Sequence, residues 1–477
     1  MIKLTFFLNK FLFWLTTFIF AFIPLYPKFP LINIKGTFVA IRIEDLLITA
    51  AIFLWLIYLI LSNTWKDFIK DKLTQAIFLF FFIGLVSTFS AIFLTHTVTP
   101  HLSFLHFLRR VEFILLLPLV VTIVKKKKEL IIILIVLSLT ILAVNLYALG
   151  QQYLSLPVIS TTNSEFSKGL ILRLNPGARV NSTFAGHYDL AVFLAMTITI
   201  LTAVFFALKK RFRLIVIILG GLSLFVLIMT AARQSFLATV IGVALVLIFS
   251  NKKKYIFLFV VATVVILLYP SQLRDRFIST ITVNVFNLGQ RYTGKTQDQQ
   301  IRSKLNIPTL AVKTSSQSAS TSAFASPSGA IATDITPGEP IDTTQLGVYR
   351  SFEIRLNIEW PRAIAAFIKN PILGTGYSSI DIATDNDLLR SLGEVGLLGT
   401  GALILIFIEV GKRIFRVFNS KNKLMRLFSV GVFSMMIAFL INGLFIDVLE
   451  ASKVASLFWL MLGLGLATLK LSSSKER

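Results

Sequence analysis

Residues 104–149 read FLHFLRRVEFILLLPLVVTIVKKKKELIIILIVLSLTILAVNLYAL. Two apolar runs, 104–124 and 130–149, flank Lys125, Lys126, Lys127 and Lys128. Each run is about 20 residues long, which as a helix spans a hydrocarbon core of about 30 Å. A helix satisfies its own backbone groups there, whereas an open strand would not. The four ammonium groups must stay in water, so the segment reads as two membrane helices joined by a basic connector.

The same alternation runs through the whole chain. Window-sized hydropathy predicts about twelve spans, at roughly 4–25, 45–62, 73–94, 104–124, 130–149, 187–208, 214–230, 235–250, 255–269, 395–411, 426–446 and 452–469. Composition agrees: 55% of the 477 residues are hydrophobic, 44 are Phe and mean hydropathy is +0.80. Charged residues make up 15%, against about a quarter in soluble domains. The fold class is therefore all-α, a polytopic helical membrane protein. The first run has no small-residue cleavage site and ends in Pro-rich sequence, so it reads as a retained helix and not a signal peptide. With no cysteine, disulfides, thiolate metal sites and a Cys nucleophile are excluded.

The net charge of +24 does not point to nucleic acid. Its Lys and Arg fall in short clusters between apolar runs, without the continuous basic face or stacking aromatics of a nucleic-acid groove. Every second connector is basic: Lys66, Lys70 and Lys72; Lys125 to Lys128; Lys209, Lys210, Arg211 and Arg213; Lys252 to Lys254; and Lys412, Arg413, Arg416, Lys421 and Lys423. By the positive-inside rule these are cytoplasmic, as are both termini, and the long connectors 150–186 and 270–394 face outside. The expected organisation is N-terminal membrane helices over 1–149, further helices over 150–269, a large outside loop over 270–394 and C-terminal helices over 395–477. Within that loop 314–344 is rich in Ser, Thr, Ala, Gly and Pro; it buries too little to offset its ordering entropy and is expected to be disordered. Residues 271–291, with Arg274, Arg276 and Arg291 among apolar residues, are expected to lie along the interface. After the tract, 353–369 has helical composition, with Pro361 kinking or restarting it and the helix lying on the outer surface.

Ionisable groups at membrane depth are costly and line cavities. Three groups qualify as candidate sites: Arg179 with His187 and Asp189; Arg233 in the tight turn between two spans; and Arg355 with Glu353 and Glu359, followed by Asp381, Asp385, Asn386, Asp387, Arg390 and Glu394. An arginine fork pairs bidentately with phosphate oxygens and stays charged; the bland alternative is an interfacial anchor. Arg109, Arg110 and Glu112, and likewise Arg42, Glu44 and Asp45, read as structural pairs. His96, His101 and His106 lack ligand spacing, so no metal site is expected.

The stretch WPRAIAAFIKNPILGTGYSS (360–379) followed by DNDLLRSLGEVGLLG (385–399) resembles the signature of the O-antigen ligase and polymerase superfamily. In order upstream, ARVNSTFAGHYDLAVFLA (178–195) is similar to the family's Arg-containing segment entering a helix, and TAARQSFLATVIGV (230–243) to its arginine turn. The resemblance covers about residues 170–410. It implies a multi-pass glycosyltransferase of the bacterial cytoplasmic membrane, acting at the outer face on a glycan carried by undecaprenyl diphosphate, with membrane lipids and polysaccharide-assembly proteins as partners and no cofactor or metal. On matching positions Arg179, Arg233 and Arg355 would hold the diphosphate, and Glu394, Asp385 or Asp387 would serve as the base for the acceptor hydroxyl. Many ligases of the family carry His before the motif's Asn; this chain has Asp385 before Asn386. That favours a polymerase of surface polysaccharide repeat units, O-antigen or capsule-like. A ligase for a finished glycan remains the alternative within the class, and a transporter the alternative outside it.

Overall fold

The computed structural model describes residues 2–34, 40–159, 172–174, 178–282, 351–380 and 383–473. The tract 314–344, Arg291 and Asp381 lie outside the described residues.

The chain is an all-α polytopic membrane protein. Its first half comprises α1 (Ile2–Leu25), α2 (Ile43–Leu61), the short α3 (Trp65–Lys70), α4 (Lys72–Phe93), α5 (Pro100–Ile123) and α6 (Lys127–Tyr153). Then come α7 (His187–Ala207), α8 (Lys210–Met229), α9 (Arg233–Phe249), α10 (Lys254–Leu268) and α11 (Gln272–Thr282). The last part holds α12 (Trp360–Lys369), α13 (Asp387–Arg416), α14 (Lys423–Asn442) and α15 (Ser452–Ser473). Two short antiparallel pairs, β1 (Pro30–Asn33) with β2 (Ala40–Arg42) and β3 (Pro157–Val158) with β4 (Leu172–Arg173), tie loops together at one end of the bundle.

Every stretch expected to span is helical. Among the described residues nine helices are long and apolar enough to cross a membrane, or ten if α10 and α11, bent by 90° at their junction, are taken as one. The others fall short for physical reasons. α9 has 17 residues, and α5 carries three charged residues, Arg109, Arg110 and Glu112, within its apolar run.

The centre of the bundle is α7, α14 and α15. In α15, 89% of the most apolar stretch is buried, against 22% in the peripheral α8. Lipid tails are as apolar as side chains, so helix association depends on close packing. Phe439 of α14 stacks on Phe458 of α15 at 3.8 Å. A Cβ at Gly463 would stand 2.7 Å from the Leu117 carbonyl, so α15 and α5 approach nearly backbone to backbone.

The two ends of the bundle differ. At one, Arg413 pairs with Asp71 at 2.9 Å and Lys125 donates to the Tyr58 hydroxyl, gathering the lysine-rich connectors. At the other, the fully buried Lys453 donates to the carbonyls of Thr183 (2.8 Å) and Pro24 (3.1 Å), fastening the starts of α15 and α7 to the end of α1. Lys28 lies 3.9 Å from Asp189, and burial pushes its ammonium below the usual lysine range. The long loops collect at this second end.

Pro361 sits in a helical run that is unbroken over 351–369 and widens just ahead of it. Lacking an N–H, it cannot donate to the carbonyl four residues back, and Arg355–Glu359 widens into a π-turn in which the Trp360 N–H reaches the Arg355 carbonyl. That turn buries Arg355 and Glu359 against the bundle while Ile354, Ile358, Ile364, Ile368 and Ile372 stay exposed. An apolar stripe on a helix at the end of a membrane bundle has the form of an interfacial helix.

Candidate functional site

The site is built on a broken helix. Inside α13, Gly396 has φ 65° and ψ −167°, which divides the helix into 387–395 and the longer span beyond. A break orphans backbone groups that must find partners when buried. The turn 370–376 supplies them: the Thr375 N–H donates to the Gly393 carbonyl (2.8 Å) and that of Gly376 to Glu394 (2.9 Å), while those of Leu397 and Leu398 donate to Pro371 (2.8 Å) and Ile372 (3.2 Å). The approach is so close that a Cβ at Gly374 would meet the Glu394 carbonyl oxygen at 2.4 Å, and one at Gly396 that of Ile372 at 2.4 Å. Ser87 of α4 donates to the Glu394 carbonyl at 3.0 Å, locking the break against the first half of the chain.

The short segment 387–395 thereby aims its charged side chains into the bundle. Arg390 lies 3.6 Å from Glu394, 3.6 Å from Asp447 and 3.9 Å from Glu450. Arg110 of α5 lies 3.7 Å from Glu394, pairs with Glu450 and donates to the Leu449 carbonyl at 2.9 Å. Its partners are thus on α13 and the α14–α15 connector, while the charge acting on Glu112 from its own helix is that of Arg109. Asp387 accepts the Leu449 N–H at 3.2 Å, and Asp447 accepts those of Thr384 (2.7 Å) and Asn386 (3.2 Å). Asn386 caps α13 by accepting the Leu389 N–H at 2.9 Å. The cavity among these groups holds about 30 Å³, and Tyr377 lies across it with its ring 5.7 Å from Arg110. Burial pushes the Tyr377 hydroxyl well above the usual phenol range.

Beside this cavity stands a group of arginines from four segments. Arg276, Arg355 and Arg179 all lie within Coulombic reach of Arg233. Arg233, the first residue of α9 and 6% exposed, donates to the Arg276 carbonyl (3.4 Å) and to the Thr280 hydroxyl on α11. Arg179 contacts His187 Nε2 at 3.2 Å. Arg355 pairs with Asp385 at 2.7 Å and donates to the Phe445 carbonyl at 3.2 Å. Like charges gathered this way repel one another at low dielectric, which makes the place a sink for an anion.

Two carboxyls border the arginines. Burial pushes Asp385 above the usual carboxylate range despite the guanidinium beside it. Burial, reinforced by Asp385, pushes Glu359 up to about 7 against the pull of Arg355 and Arg362. Oε2 of Glu359 is buried without a hydrogen-bond partner among the described residues. A buried carboxyl titrating near neutrality has the properties of a general base.

The structure thus brings Arg179 and Arg355 within Coulombic reach of Arg233, with Asp385 joined through Arg355, and sets Glu394 and Asp387 in the adjoining paired cavity. Arg276, Arg110, Asp447 and Glu450 complete the two groups and were not singled out as site residues from sequence. Asp447 and Glu450 were findable: two carboxylates in the brief connector between two apolar spans stand out by the same rule that flagged the others. Among the described residues no group of three or more His, Asp or Glu is arranged to hold a metal ion.

No family model matches the chain, and no curated protein matches it.

Proposed function

We propose that the protein polymerises lipid-linked repeat units of a bacterial surface polysaccharide at the outer face of the cytoplasmic membrane, with polyprenyl diphosphate as carrier. The observation that carries this reading is that Arg179, Arg276 and Arg355, from three other segments, lie within Coulombic reach of the buried Arg233, with Glu359, raised by burial to about 7, on the same turn as Arg355. Twelve crossings with both termini inside would place the lysine-rich end in the cytoplasm and the arginine group outside.

The chemistry needs what this group offers. Glu359 takes the proton of the acceptor hydroxyl, the hydroxyl oxygen bonds to the anomeric carbon of the donor, and the bond from that carbon to the diphosphate breaks. The electron pair leaves with the diphosphate, whose charge grows in the transition state. Guanidinium groups already in place stabilise that growth without reorganisation. Asp385 at the position where related ligases carry His supports polymerisation over ligation. A transporter would be expected to carry its polar groups near the midplane, whereas the charged groups here gather at the loop-rich end.

The test is transfer by the purified full chain in nanodiscs, given a polyprenyl-diphosphate-linked oligosaccharide. Arg233→Ala and Arg179→Ala should each cut the rate by about 100-fold or more; unchanged rates in folded variants would refute the diphosphate role.

A further inference from the structure

Two apolar grooves open on the membrane-facing side of the bundle. The larger, about 740 Å³, runs between α13 and α14 from Asp387 and Leu449 at the loop-rich end to Lys412 and Arg416 at the lysine-rich end. Its walls include the exposed Leu388, Ile404, Ile408, Phe415 and Leu444. The smaller, about 360 Å³, lies among α7, α8, α9 and α10. Phe236, which lines the smaller groove, stands three residues beyond Arg233 on the same helix, one turn below the arginine group. The larger groove shares Asp387, Ser391, Leu403 and Leu449 with the cavity that holds Arg110, Arg390 and Glu394.

We propose that the groove between α13 and α14 holds the polyprenyl chain of a second lipid-linked glycan, the acceptor, while the groove among α7–α10 takes the chain of the donor. This rests on the reading of the chain as a polymerase. An enzyme that joins two membrane-anchored glycans binds two long lipid chains at once, and both must climb from the bilayer to one polar site. The two grooves do so from different sides. The smaller ends under Arg233, whose donors go to neutral groups among the described residues, the Arg276 carbonyl and the Thr280 hydroxyl, which leaves its charge for a departing diphosphate. The larger ends beside Arg110 and Arg390, each paired with carboxylates, which suits a headgroup that keeps its bond and needs only to be positioned.

Length argues for a polyprenyl chain over an ordinary acyl chain. Past the break at Gly396, from Thr400 to Arg416, the larger groove follows α13 for about 24 Å at 1.5 Å per residue. One leaflet of the hydrocarbon core is about 15 Å deep, so an acyl chain entering at the loop-rich end would stop short of Arg416. A chain of many isoprene units covers the groove whole.

The test is photocrosslinking of the full chain in phosphatidylglycerol nanodiscs with a polyprenyl diphosphate bearing diazirines along its tail, the labelled residues being mapped by mass spectrometry. Labels are expected on both grooves, displaced by unlabelled polyprenyl diphosphate and not by added phosphatidylglycerol. Ile404→Trp should lower labelling of the α13–α14 groove about tenfold or more while sparing the other, and should shorten the glycans made. Label confined to the α7–α10 groove in the unaltered chain, or displaced equally by phosphatidylglycerol at α13–α14, overturns the acceptor site while leaving the donor reading standing. Specific label at neither groove overturns the acceptor site and the polymerase reading together.

Discussion

The guanidinium of Arg355 sits 2.7 Å from the carboxylate of Asp385, so the arginine nearest the candidate base already has an anionic partner. An incoming diphosphate must compete with Asp385 for that fork. Arg355→Ala should therefore weaken polyprenyl diphosphate binding by about 10–100-fold, the worth of a charge-assisted hydrogen bond. Asp385→Asn should keep or tighten it. Titration with a fluorescent polyprenyl diphosphate measures both, and a loss in Asp385→Asn equal to that in Arg355→Ala would show that the pair works as one binding unit.

Glu359 sets the expected pH dependence. Burial raises its carboxyl to about 7, and the base is competent only when ionised. Transfer should accordingly rise as pH climbs through about 7 and level off above it. Glu359→Gln should remove that limb and lower the rate by about 100- to 10,000-fold, the usual worth of a positioned base. A pH–rate profile with its midpoint unmoved in the Gln variant would assign the titration to another group.

Gly396 is held at φ 65° against the Ile372 carbonyl. Gly396→Ala adds a Cβ both to a left-handed backbone and to a 2.4 Å contact, so destabilisation of about 2–4 kcal/mol is expected. Gly401, whose Cβ would meet nothing within 4 Å, is the control, and Gly401→Ala should be nearly neutral. Thermal unfolding in detergent separates the two.

How far the sequence carried the reading follows from which forces are local. Apolar runs and lysine connectors act residue by residue through transfer to lipid, so helix positions such as α4 and α6 could be read from hydropathy alone. The arginines at 179, 233 and 355 stood out because a charge near a membrane span is expensive wherever it lies. What brings them together is not local. The run 387–395 looked like a loop leading to a span at 395, yet it is a helix capped by Asn386 and ended by Gly396, and the partners of its orphaned groups lie 20 or so residues upstream in the 370–376 turn. Arg110 likewise was read only as part of a local structural pairing, because helix spacing is visible in sequence and contact with α13 is not.

Glu394 and Glu359 can be told apart by the same reasoning. Glu394 is 2% exposed, 3.6 Å from Arg390 and 3.7 Å from Arg110; its carboxylate is already engaged by two guanidinium groups, so it serves as their structural counter-charge. Removing one partner from a buried pair costs about 3–5 kcal/mol. Glu394→Gln should thus lose stability by an amount of that order, while the molecules that remain folded keep transfer within about threefold of the unaltered rate. Glu359→Gln should show the reverse, with stability held and transfer lost. Unfolding midpoints and rates per folded molecule for these variants decide between them: a Glu394→Gln protein that folds normally but transfers nothing would move the base from Glu359 to Glu394.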